Sequence, residues 1–172
     1  MRKVTFGVAN SLDNYIARED GSVDWLLWSD DLTKIMREFW RSIDVILMGR
    51  KTYEISQRLG GAPPMTGVVT YVFSKTLREA PGATIVSTDA VQFVRDLKQQ
   101  KGGEICMMGG GEFARSLFEA DLIDEVGVNV HPVLLGSGVP LFLPMSRQIN
   151  LQLTECRQIQ HGCVLLRYLV AR

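Results

Sequence analysis

The chain has 172 residues, and its 19 lysines and arginines balance 19 aspartates and glutamates. A neutral chain is a poor partner for a polyanion, so nucleic acid is not an expected partner. With 46% hydrophobic and 22% charged residues the composition is that of an ordinary globular protein, which excludes disorder and collagen-like repeats. The length fits one domain, 1–172, large enough to bury a core without metal or disulfide staples.

Strand and helix signals alternate along the chain, with no repeat or low-complexity tract. Residues 3–10 form the first predicted strand. The preceding Met1-Arg2-Lys3 leads into it without the apolar core and cleavage site of a signal peptide. The longest apolar stretches, such as 126–130, fall far short of the roughly 18 residues a membrane span needs, so a cytoplasmic protein with no membrane partner is expected. Ser11-Leu12-Asp13-Asn14 supplies turn chemistry, and Tyr15-Ile16-Ala17 followed by Asp20-Gly21 reads as a loop across the end of the sheet. Ser29 and Asp30 are candidate N-caps for a helix whose apolar face is Leu32, Ile35, Met36, Phe39, Trp40 and Ile43.

The apolar run 45–48 reads as a central strand ending at Gly49-Arg50-Lys51-Thr52, where a helix begins that stops near Gly60-Gly61. Residues 68–73 form another strand ending in Ser74-Lys75-Thr76. A short one at 85–86 precedes a helix capped by Ser87 or Thr88 and running to Lys101-Gly102-Gly103. Residues 104–108 lead into Gly109-Gly110-Gly111-Glu112 and a helix to Ala120, followed by a strand at 125–131. Residues 151–159 and 163–170, joined at His161-Gly162, read as an antiparallel hairpin. The expected fold is a three-layer α/β domain: a mostly parallel central sheet flanked by helices, with an antiparallel C-terminal edge hairpin.

Such sheets bind ligands beyond the carboxyl ends of their strands, which selects the segments at Gly49, Ser74 and Gly109. Gly109-Gly110-Gly111 either lets a phosphate approach a helix N-terminus or makes a tight turn. Arg50 and Lys51 open a helix, where the macrodipole disfavours cations; an anionic ligand would relieve the conflict, although exposed cations are common. The three cysteines, Cys106, Cys156 and Cys163, are odd in number and lack Cys-x-x-Cys spacing. With His131 and His161 in no ligand spacing either, they read as small buried side chains, and no metal is expected.

Five segments together resemble the dihydrofolate reductase superfamily: Ala9 through Ala17, Val23-Asp24-Trp25-Leu26, Met48-Gly49-Arg50-Lys51-Thr52-Tyr53-Glu54, Ser74-Lys75-Thr76, and Met108-Gly109-Gly110-Gly111-Glu112-Phe113. Within it the chain is similar to stand-alone relatives of the C-terminal reductase domain of the riboflavin-biosynthesis deaminase/reductase. The resemblance implies a dihydrofolate-reductase-like fold and an NADPH cofactor. It places the backbone of Ala9 and Ile16 at the nicotinamide carboxamide, and Gly49, Arg50, Lys51 and Thr52 at the phosphates. Ser74, Lys75 and Thr76 would lie at the 2′-phosphate, with Met108 leading into a glycine turn, Gly109 to Glu112, whose first peptide is usually cis. Asn14 stands where relatives have Gly, a position Asn tolerates. Two family features are missing: a carboxylate on the first helix, for which Asp30 and Asp31 read as caps, and an Asp-Asp-Pro segment, here Glu54-Ile55-Ser56-Gln57-Arg58.

The resemblance implies an oxidoreductase carrying hydride to a small pyrimidine- or pterin-type substrate, most like 5-amino-6-(5-phosphoribosylamino)uracil reductase. Dihydrofolate reduction and NADPH binding without turnover are the alternatives. Asp13, Trp25 and Ile35 would lie on the substrate side, Trp25 fitting plain core packing as well. Asp13, Asp31 or an ordered water would supply the proton, and relatives suggest a homodimer using residues 132–140 and the C-terminal hairpin.

Overall fold

The computed structural model describes residues 1–60 and 67–171. An eight-stranded sheet runs through it in the order β5-β4-β3-β6-β1-β7-β10-β9. Its strands are β1 (Val4–Ser11), β3 (Ile43–Gly49), β4 (Val69–Phe73), β5 (Thr84–Val86), β6 (Glu104–Met108), β7 (Glu125–His131), β9 (Leu151–Gln158) and β10 (Val164–Val170). From β5 to β7 neighbours are parallel, and the β7–β10 and β10–β9 pairs are antiparallel, as the C-terminal pattern predicts. Helices α1 (Asp30–Trp40) and α2 (Arg50–Arg58) cover one face, and α3 (Ala90–Gln99) and α4 (Gly111–Glu119) the other.

The α3/α4 face is filled in the ordinary way. Val4 and Phe6 of β1 and Val126 and Val128 of β7 pack with Val94, Leu97, Leu117 and Phe118, because alternate strand residues share a face. On the opposite face α1 is held near both its ends. Leu32 and Ile35 pack on Ile159, Cys163 and Leu165, while Phe39 and Trp40 pack on Ile46 and Met48.

Several local expectations change. Tyr15-Ile16-Ala17 is a strand, β2 (Tyr15–Ala17), paired with β8 (Val139–Pro140) in a small second sheet. The preceding turn needs the left-handed backbone that Asn14 supplies at φ 64°. Ile43 opens β3 instead of closing α1, because Ser42 O accepts from Glu104 N (2.8 Å) and draws the chain into the sheet. Asp89, not Ser87 or Thr88, caps α3, its carboxylate accepting from Gln92 N (2.9 Å). Cys106 and Cys163 are buried, but Cys156 is exposed on the edge strand β9. Gly61, near the expected end of α2, lies outside the described residues. Among the described residues no helix is long and apolar enough to cross a membrane.

Candidate active site

The carboxyl ends of β4, β3 and β6 are in register, Phe73 beside Gly49 and Met48 beside Met108. Three segments far apart in sequence thereby become one rim. Both helices that start there, α2 and α4, have glycine at the N-cap, Gly49 and Gly110, and so no side-chain cap; Ser29 and Asp89 cap α1 and α3. Uncapped first turns keep their N–H groups and partial positive charge for an anion. The approach to α4 is open, since a Cβ added to Gly111 would meet nothing within 4 Å. Gly109 (φ 85°) lies against Thr52 of α2, and Gly110 against Ile16 and the 140–141 backbone, which ties the glycine turn to β2 and β8. No cis peptide occurs among the described residues, so the Gly109–Gly110 bond departs from the family expectation; the left-handed backbones of Gly109 and Gly111 turn the chain without it.

The cations at this rim are not equivalent. Arg50 Nη1 donates to both oxygens of Glu54 (2.9 and 3.1 Å), the i,i+4 pair that settles a cation at a helix start. Lys51, Lys75 and Thr76 are exposed. Ser74 Oγ accepts from the N–H groups of Thr76 (3.2 Å) and Leu77 (2.9 Å), closing the turn that carries Lys75. Glu112 is exposed and pairs with Arg115 one turn on.

Beside the rim, under α1, lies a cavity of about 180 Å³. Its floor follows from a two-residue period that repeats on neighbouring strands. Thr5, Gly7 and Ala9 of β1 pair with Glu125, Gly127 and Asn129 of β7, and all six line the cavity while Phe6, Val126 and Val128 fill the other face. Neither Gly7 nor Gly127 has a left-handed backbone. A Cβ on Gly7 would sit at ordinary contact distance, 3.8 Å from Cys106 Sγ, and one on Gly127 would come no nearer than 3.9 Å, to Phe6 O. Backbone geometry does not require either glycine, and each weakens its strand; what the missing side chains provide is room. Leu32, Ile35, Met36 and Phe39 of α1 form the roof, and Leu27 and the exposed Trp28 the mouth.

Of the residues expected on the substrate side, Ile35 lines the cavity. Trp25 is buried just behind the mouth, its ring edge-on to His131 at 5.3 Å, while Leu26, Leu27 and Trp28 reach the cavity themselves. Asp31 sits in the first turn of α1, outside the cavity lining. Asp13 serves as a bracket: Ser11 Oγ donates to it (2.6 Å), as do the N–H groups of Leu135 (3.1 Å) and Gly136 (2.8 Å). These donors, Ser11 foremost, hold its carboxyl below the usual range, so Asp13 has no proton to give at neutral pH. The residues missed in sequence are Thr5, Gly7, Glu125, Gly127 and Asn129 of the floor. The signal was present in Thr-x-Gly-x-Ala and Glu-x-Gly-x-Asn, but it needs the β1–β7 pairing to become a site.

His131 closes one end of this floor, and burial lowers its pKa from the ordinary value. Its Nδ1 accepts from Leu27 N (3.2 Å), so the neutral ring carries its proton on Nε2. A buried histidine that must stay neutral binds fewer protons folded than unfolded. Its contribution to stability is therefore complete above about pH 6.5 and lost as pH falls through the lowered folded value. Urea unfolding at pH 7.5 and pH 5 should show the decline, and His131→Gln should flatten it; an unchanged slope in the variant would assign the decline to other groups.

This sheet order, with helices on both faces and an antiparallel C-terminal edge, defines a dihydrofolate-reductase-like fold. The chain belongs to the RibD C-terminal domain family, whose sequence model matches residues 2–165. It is 36% identical over 160 residues to the uncharacterized protein YwjB of Bacillus subtilis (strain 168), covering 91% of this chain and 92% of that one. A solved Shewanella sp. PV-4 protein named for riboflavin biosynthesis is 26% identical, covers 100% of both chains and superposes with a TM-score of 0.86. The Thermotoga maritima diaminohydroxyphosphoribosylaminopyrimidine deaminase/5-amino-6-(5-phosphoribosylamino)uracil reductase matches in fold over 99% of this chain and 57% of its own, at 17% identity and TM-score 0.73. Enterococcus faecalis dihydrofolate reductase, solved with NADP(H), shares the fold at 15% identity and TM-score 0.71, over 99% of this chain and 97% of its own.

Proposed function

We propose that the protein is an NADPH-dependent reductase that adds hydride to a C=N or C=O carbon of a small pyrimidine- or pterin-type heterocycle, nearest in kind to the uracil reductase step of riboflavin biosynthesis. One observation carries this reading: Met108 ends β6 at the rim, Ala9 lies on the part of the neighbouring β1 that runs past it, and both line the cavity, so a dinucleotide laid along the rim would have its reactive end at the cavity's edge. The rim fits the cofactor, with two uncapped helix N-termini for the diphosphate and Lys75 on an exposed turn for a further phosphate. Bound NADPH would supply a hydride from its nicotinamide ring. The chain's part is to hold the heterocycle flat on the Gly7–Gly127 floor, exclude bulk water with the α1 roof, and leave the mouth open for the water that delivers the proton.

Lys75→Ala tests the cofactor reading. Losing a charge-assisted hydrogen bond to a 2′-phosphate should weaken NADPH by roughly tenfold or more, while NADH binding barely changes. Fluorescence titration with both cofactors measures this. An equal loss for both would remove Lys75 from the phosphate, and no NADPH binding by the parent protein would sink the reading.

A further inference from the structure

We propose that the cavity selects an uncharged planar heterocycle, read at its two ends by Thr5 and Asn129, and that a phosphate on the substrate takes no part in recognition. The inference deepens the reductase reading and rests on it for the chemistry, though not for binding.

The floor presents polar atoms with nothing to bond. Thr5 Oγ1 and Asn129 Oδ1 are buried without a hydrogen-bond partner. Orphaned polar groups cost stability in the free protein and are retained where a ligand completes them. Asn129 Nδ2 stands 3.1 Å from His131 Nε2, the nitrogen that carries the proton in the neutral ring, so two donors face each other. Exchanging the amide oxygen and nitrogen, which have nearly the same shape, makes that contact a hydrogen bond and turns the Asn129 NH₂ toward the ligand. The floor thus offers an amide donor at the Asn129 end and a hydroxyl, donor or acceptor, at Thr5. Positions 5 and 9 on β1 are about 13 Å apart at about 3.3 Å per residue, which spans a one- or two-ring heterocycle with its substituents. Between them the Gly7–Gly127 floor is flat enough for a ring face.

Charge decides against the phosphate. Among the described residues the ionised groups lining the cavity are Glu125 and Arg167, and both are engaged: Glu125 with Lys3 (3.0 Å), Arg167 with Glu155 (3.2 Å) and more distantly with Glu125 (3.9 Å). A polar pocket adjoining Glu125 and Arg167 adds Glu38, Glu104 and Glu155 against Lys3 and Arg157, which gives no surplus of positive charge. Burying a phosphate dianion with no free cation would be strongly unfavourable.

The test uses three probes of increasing charge: 5,6-diaminouracil, 5-amino-6-(ribosylamino)uracil and the 5′-phosphate of the latter. Trp28 and Trp40 line the cavity, so quenching of intrinsic fluorescence reports binding without cofactor or turnover. All three should bind within threefold of one another. Thr5→Val should weaken the base at least fivefold while raising the Tm, since it removes an unpartnered buried hydroxyl; a residue with only a structural role would not move the two in opposite senses. Asn129→Leu should weaken the base similarly, and Gly127→Val should abolish binding by filling the floor. Binding of the phosphate form more than tenfold tighter than the base overturns the proposal, as do wild-type affinities in the Thr5 and Asn129 variants, or no binding of any probe. NADPH affinity, measured separately on the same proteins, should stay unchanged. Its absence in the parent chain would defeat the reductase reading and leave the cavity result standing.

Discussion

Replacing Gly109 with alanine is expected to abolish measurable NADPH binding and to destabilise the fold by roughly 2–4 kcal/mol. Two independent effects combine. The backbone at Gly109 has φ 85°, a region that disfavours any side chain, and the new Cβ would overlap Thr52 Oγ1, with Thr52 Cβ and Cγ2 only 3.1 Å away. Relief requires moving the glycine turn away from the start of α2, which separates the two uncapped helix termini at the rim, where the proposed cofactor would lie. The double variant Thr52→Ala/Gly109→Ala separates the effects. It removes the overlap but not the backbone strain, so it should recover part of the stability lost in the single variant. Urea denaturation and cofactor titration of the four proteins complete the cycle. If Gly109→Ala binds NADPH like the parent, the glycine turn does not hold the cofactor.

Lys98→Ala should cost about 3 kcal/mol, the low end for breaking a buried ion pair, and lower the Tm by about 6–12 °C for a domain of this size. Lys98 is 3% exposed on α3; its ammonium donates to Leu122 O (2.9 Å) and pairs with Asp124, whose carboxylate also accepts from Val4 N (2.8 Å). The main chain of Lys98 accepts from Arg2 N (2.8 Å), and Val170 N donates to Asp124 O (3.0 Å). One side chain thus ties α3, the entry to β1 and the exit of α4 together, at the opposite end of the sheet from the rim. Thermal and urea unfolding should register the loss, while NADPH affinity at low temperature should not change. A change below about 1 kcal/mol would show that water replaces the ammonium at little cost.

Much of the architecture was legible because its signals are local. The helical spacing from Leu32 to Trp40, the apolar run at 45–48 and the glycines after 108 each specify an element within a few turns of chain. The alternation of those elements was enough to predict the parallel sheet and its antiparallel edge. The errors fell where a partner distant in sequence decides the outcome: Ile43 joins β3 because Glu104 pairs there, and Tyr15-Ile16-Ala17 becomes a strand because the 139–140 segment lies beside it. The same limit hid half of the site. The rim follows from strand ends, each readable in its own loop. The floor depends on Thr5, Gly7 and Ala9 standing next to Glu125, Gly127 and Asn129, a pairing across about 120 residues.

The zero net charge shows the division most plainly. By itself the sequence determined the overall charge balance, the periodicities that build strands and helices, and the glycines at strand ends. It also showed a run of acids, Glu112, Glu119, Asp121, Asp124 and Glu125, with Arg115 as the only cation nearby in sequence. Folding gave those acids distant partners: Asp121 pairs with Arg147, Asp124 with Lys98, Glu125 with Lys3, and Glu119 accepts from Ser146 N (2.9 Å). Lys51 and Lys75 were left exposed at the rim formed by the strand ends. Composition sets how many charges a chain carries, but Coulomb attraction and hydrogen bonding act over a few ångströms. Which charges are neutralised and which remain for a ligand was therefore decided only when the sheet brought distant segments together.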